Sequence, residues 1–232
     1  MMLLTEIRQQ LVRQAVIMRM RPDQADHSEF SSWFGKVTCA LPSEDWPTAN
    51  GKPMFALCQI DLTELTFRPH LLEDMEMITV FVAAGIGTSY LYPNGSNWLL
   101  RAYSRKEELI PLPLVSTGAL VPVVPLVPEP VRDDFPCWED VNIDLPTAIA
   151  EHYYDHFSTF DGIKLGGWPS LVQARINWQN NRKFAAARPE FVFQIDSPHS
   201  ENVLWGNNGV GYIGRGTRQG HEQEWFLEWQ SI

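Results

Sequence analysis

The chain has 232 residues, 44% of them hydrophobic, nine tryptophans and a formal net charge of −10. That is enough apolar surface for a sizeable core. An acidic balance without clustered Lys and Arg excludes sequence-independent binding to DNA, RNA or anionic membrane, and it suits a basic protein partner. Cys39, Cys58 and Cys137 are odd in number and widely spaced, so neither a disulfide framework nor a zinc finger is expected. The first residues mix charges into apolar positions and lack the apolar region of a signal peptide, which points to the cytoplasm. Two uncharged runs, 77–100 and 109–128, are long enough to span a membrane. Glycines and Pro93-Asn-Gly95 break the first, and five prolines break the second.

In chain order, residues 4–20 carry a helical stripe of Leu4, Ile7, Leu11, Ala15 and Met18, widened by Val12 and Val16. Pro22 follows as a stop. Residues 41–53 hold three prolines and Asn50-Gly51, which predicts a loop with a tight turn. Residues 54–62 and 77–84 read as buried strands, joined by an irregular segment. Residues 84–100 suggest a hairpin turning at Pro-Asn-Gly. Residues 106–140 read as an extended, Pro-rich connection. Residues 144–160 predict a second helix, capped by Asp144 with Pro146 in its first turn. Two strands lie within 191–215, and a last strand at 225–230 places Trp225, Leu227 and Trp229 on one face.

One echo organises this list. Phe55-Ala-Leu-Cys-Gln-Ile-Asp61 and Phe191-Val-Phe-Gln-Ile-Asp196 end alike, each after a glycine and a Pro-containing loop. The pattern is compatible with a tandem duplication, with halves at 30–105 and 145–232 inside a single domain of 1–232. Gln59 with Asp61, and Gln194 with Asp196, fall on one strand face, where their side chains can bond loop backbone. Such a structural strand-end role outweighs a paired-carboxylate site.

In order along the chain, Trp46-Pro47, Phe55-Ala-Leu-Cys-Gln-Ile-Asp-Leu62, Leu165-Gly-Gly-Trp-Pro169, Phe191-Val-Phe-Gln-Ile-Asp196 and Trp205-Gly-Asn-Asn-Gly209 resemble the YwqG-like family. These are bacterial domains of largely undefined biochemical function. The resemblance runs from about residue 33 to residue 229. It implies an α+β fold of antiparallel sheets with flanking helices. Members occur among proposed immunity proteins of bacterial polymorphic-toxin systems, so the resemblance also implies a cognate toxin as partner.

No catalytic residue stands out, and no cofactor is expected. His152 and His156, spaced i and i+4 on a helix, could share a zinc ion and support a metal-assisted hydrolase, but no third ligand is visible. Ordinary surface histidines are the simpler reading. Ser197, His199 and Asp196 are near in sequence without any sign of triad geometry. The glycines of 206–216 lie between strands, so they read as turn residues rather than a phosphate loop. For partner binding the candidates are Trp205, Asn207, Asn208, Arg215 and Trp46, an aromatic and amide set suited to an interface. Trp205 reads equally well as a lid over the core. The leading expectation is a non-enzymatic binding protein that neutralises a toxin. A hydrolase and a small-ligand sensor are the alternatives.

Overall fold

The computed structural model describes the chain except residues 1–2, 24–27, 29, 85–92, 119–120, 177, 179–181, 183, 197–204 and 207. Helix α1 (Leu4–Leu11) buries Ile7 and Leu11 against Phe135, Tyr153 and Phe157. The Glu6 carboxylate accepts from the Leu3 N–H at 2.8 Å, satisfying a donor at the helix start. The chain turns extended at Val12 and becomes strand β1 (Arg13–Met20). One helix over 4–20 is therefore corrected. Ala15, Val16, Ile17 and Met18 are all buried, because β1 is covered on both faces. A strand covered on both sides loses its alternation and passes for a helical stripe.

The strands that follow among the described residues are β2 (Trp33–Phe34), β3 (Cys39–Ala40), β4 (Thr48–Ala49), β5 (Lys52–Pro53), β6 (Phe55–Asp61), β7 (Met77–Val82), β8 (Trp98–Tyr103), β9 (Ile110–Pro111) and β10 (Val124–Asp134). Short helices α2 (Thr147–Ala150) and α3 (Tyr153–His156) precede β11 (Ile163–Gly166), β12 (Glu190–Asp196), β13 (Val210–Arg215) and β14 (Trp225–Gln230). Ten strands form one antiparallel sheet in the order β14-β13-β12-β11-β1-β10-β2-β6-β7-β8. This overturns the α+β expectation. The fold is mostly β, and its helices are short pieces at one place on the sheet rather than flanking layers. The helix expected over 144–160 is two single turns broken at His152, whose backbone leaves the helical region at φ −119°.

The order reads the same from both edges towards the β1–β10 pair. Register agrees with it. Cys58 lies between Phe34 and Val80, as Phe193 lies between Leu165 and Ile213. Both ladders shift register at the same place, between Ala56 and Cys58 and between Phe191 and Phe193. Gly35 follows β2 and Gly166 ends β11, with φ of 72° and 70°. The stretch expected as a connection over 106–140 thus contributes a central strand, β10, that joins the two sides. Prolines ordinarily exclude a central strand. In β10, Leu126 donates its N–H to Ser32 O, and the residues in phase with it, Pro128 and Pro130, lie beyond the end of the short β2 ladder. Their missing N–H groups therefore leave no acceptor waiting.

Every strand of the ten gives residues to one apolar cluster, from Trp98 and Leu100 on β8 to Trp225, Leu227 and Trp229 on β14. The connection between β6 and β7 lays Leu62, Leu72 and Met75 onto that cluster, and Trp205, between β12 and β13, enters it as well. The opposite face is covered by the segments that follow β2 and β11 and by the helices. No helix among the described residues is long and apolar enough to cross a membrane.

Candidate functional site

The two Gln-Ile-Asp strand ends occupy matching places in the sheet, and their glutamines do the same work. Gln59 accepts the Thr38 N–H at 2.9 Å and donates to Ser31 O at 2.9 Å. Gln194 accepts the Ser170 N–H at 2.8 Å and donates to Gly162 O at 3.1 Å. Each amide ties together the backbone before and after the neighbouring strand, and each glutamine is fully buried. A buried amide satisfied on both sides holds these loops in one arrangement.

The aspartates differ. Asp61 accepts from the Thr63 N–H at 2.9 Å and the Thr63 hydroxyl at 2.6 Å, and it forms an ion pair with Lys106. It is 2% exposed. Asp196 accepts from the Gly162 N–H at 2.7 Å and from the Gln194 side-chain amide at 3.2 Å. No Lys or Arg of the described residues forms an ion pair with it. Lys164, whose charge acts on Asp196, is bound to both oxygens of Asp134 at 3.1 Å. Burial pushes the Asp196 carboxyl up to about 6, with Asp161 adding to the rise and the Gly162 N–H opposing it.

Asp196 lines two cavities. One, of about 550 Å³, is walled by Tyr154, Thr159, Ser170, Asn208 and Ile232 among others. The second, of about 530 Å³, opens towards Arg19 and Met20 and shares Thr159 and Asp161. Tyr154 is 61% exposed at the rim, and its hydroxyl accepts the N–H of Trp138, which is 45% exposed. A carboxylate without a fixed cation, beside exposed aromatic rings, can hold a cationic side chain. Cys137 also lines the first cavity, but burial pushes its thiol up and the Leu171 N–H donates to its sulfur, so it is not a poised nucleophile.

A family model, DUF1963, matches residues 100–214. The match is to a family described as a domain of unknown function. The DUF1963 stretch includes Cys137, Tyr154, Thr159, Asp161, Asp196 and Asn208, so most of the first cavity's wall falls inside it. No curated protein matches the chain.

The residues expected to meet a partner are dispersed. Trp205 is fully buried in the main cluster, so it serves as the core lid rather than a surface anchor. Arg215 is 5% exposed and binds Asp74 through two nitrogens, at 2.7 and 2.8 Å, which pins the β6–β7 connection to β13. That pairing holds the Asp74 carboxyl below its usual range. Trp46 is half-buried, donates to Met54 O at 2.9 Å and packs edge-on to Phe81. Asn208 is exposed on the first cavity's wall. Asn207, Ser197 and His199 lie outside the described residues. His152 is exposed and pairs with Asp155 at 3.4 Å, at the break before α3. The shared helix face required of His152 and His156 is absent, and the described residues contain no group of three or more metal-ligating side chains.

Sequence reasoning missed the fully buried Lys164–Asp134 pair. Lys164 alternates with Ile163 and Leu165 as an outward-facing strand residue would, and only the covering segment above it reveals the burial. Asp161 and Tyr154 carried no signal of their own.

A titration follows from the Asp196 environment. Its carboxyl sits near 6 in the folded chain and near 3.8 when unfolded. Between those values the folded state binds more protons, so this group's contribution to stability falls as pH rises from about 4 to about 6. Asp196→Asn removes the dependence. Relative to wild type, the variant should gain about 2–3 kcal/mol in unfolding free energy between pH 4 and pH 7. Urea titrations at the two pH values measure it, and a constant difference would be the wrong outcome for a raised carboxyl.

Proposed function

We propose that this chain is a YwqG-like, cytoplasmic binding protein that neutralises a bacterial polymorphic or contact-delivered toxin by holding it. The observation that carries the reading is the Asp196 carboxylate. It lines an open cavity beside the exposed Tyr154, and among the described residues no ammonium pairs with it as Lys106 pairs with its counterpart Asp61. A protein with a net charge of −10 attracts a basic partner at long range, and an exposed tyrosine in the same cavity wall as a carboxylate gives that partner a place to anchor. The partner surface lies around Asp196, Tyr154, Trp138 and Asn208. Trp205 and Arg215 act through the fold and do not touch the partner.

Co-expression with the product of the neighbouring toxin gene is the test. The reading expects the toxin to co-purify and growth to be rescued. An uncaptured toxin and unrescued cells would remove it.

A further inference from the structure

The first half of the sheet shows what its strand-end aspartate holds. Asp61 closes β6, lies opposite Met77 on β7, and Met77 lies opposite Tyr103 on β8. Lys106, three residues beyond Tyr103, returns its ammonium to the Asp61 carboxylate and lies 3.3 Å from the Thr63 hydroxyl. In the second half Asp196 closes β12, lies opposite Val210 on β13, and Val210 lies opposite Gln230 on β14. The glutamine two residues before each aspartate binds matching loop atoms, Ser31 O and Gly162 O. The two carboxylates therefore stand at equivalent positions in the sheet. Where Lys106 fills the space over Asp61, the 550 Å³ cavity stands over Asp196, with Val210 and Ile232 in its wall.

We propose that the Asp196 cavity receives a primary ammonium, the lysine side chain of a bound protein partner, as Asp61 receives Lys106. The protein-borne source rests on the binding reading above; the ammonium chemistry rests on the internal comparison. Several groups are available. One oxygen of Asp196 is committed to the Gly162 N–H, and among the described residues the other takes only the Gln194 amide at 3.2 Å. The Thr159 hydroxyl and the Asn208 side chain stand in the same wall, as the Thr63 hydroxyl does beside Lys106. Tyr154 offers its ring to the methylene stem, since lysine lays its apolar stem on apolar surface while its head binds polar groups.

The experiment uses the full chain and a short blocked peptide, acetyl-Gly-Lys-Gly-amide, and follows the Gly162 amide resonance by NMR. A saturable shift is expected with the lysine peptide and none with the same peptide carrying norleucine in place of lysine. Asp196→Asn keeps an acceptor for Gly162 and should weaken binding about tenfold or more, the loss of one charge-assisted contact. Asp61→Asn, which leaves the cavity intact, should bind like wild type. The proposal is overturned by no saturable shift in wild type, by equal shifts from norleucine, or by undiminished binding in Asp196→Asn. Tighter binding of n-butylamine than of the peptide would also overturn it, by assigning the cavity to a free amine. Toxin capture with rescue but no peptide binding would leave the binding reading standing and remove the lysine site. Peptide binding without toxin capture would do the reverse.

Discussion

Lys164→Ala is expected to lower the unfolding free energy by about 3–5 kcal/mol, measured by urea titration at neutral pH. Lys164 and Asp134 are both fully buried, and the ammonium contacts both carboxylate oxygens at 3.1 Å. Burial raises the Asp134 carboxyl and lowers the Lys164 ammonium, while their mutual attraction opposes both shifts. The Trp168 and Phe160 N–H groups also donate to Asp134, at 2.6 and 3.2 Å. Removing the ammonium leaves a buried carboxylate with two backbone donors and no cation. It must then remain charged at high cost or take up a proton. The penalty should therefore shrink in acid, where protonation relieves the variant. Lys164→Met with Asp134→Leu should recover part of the loss, because a buried pair replaced as a unit leaves no orphan charge. A neutral single substitution would show that the pair contributes nothing to holding β10 to the segment around Trp168.

Trp205→Ala should cost about 3–5 kcal/mol, the usual range for emptying a buried aromatic site. The indole is fully buried among the residues of both sheet halves. Two glycines show how tightly it is packed. A Cβ on Gly209 would lie 2.4 Å from the Trp205 backbone, and one on Gly211 would lie 2.5 Å from its ring. Those positions need glycine because the ring and its own main chain take the room. Trp205→Phe should lose less, since part of the volume is kept. Thermal and urea unfolding check both. A small loss on Trp205→Ala accompanied by a large drop in toxin capture would restore Trp205 as an interface anchor.

The Gln-Ile-Asp echo was the most legible feature of the sequence, because a buried amide at a strand end needs the same neighbours twice. Gln59 and Gln194 indeed tie matching loops. Why those two endings lead to different chemistry was not legible. It depends on Lys106, which returns from 45 residues away, and on the cavity over Asp196. The strand β1 was hidden because its apolar run fits helical and doubly covered strand spacing equally. The strand β10 was hidden by prolines, and the missing donors of Pro128 and Pro130 are harmless only when the short reach of β2 is known. The glycines around Trp205 could be read only as turns, since sequence cannot show that a ring lies against them.

The most direct measurement is the affinity of the captured toxin for wild type and Asp196→Asn at pH 7.5, above the titration of the carboxyl near 6. The account predicts binding at least about tenfold weaker for Asp196→Asn, with Trp46→Phe as an unaffected control. Equal affinity for wild type and Asp196→Asn would contradict a partner seated on this carboxylate.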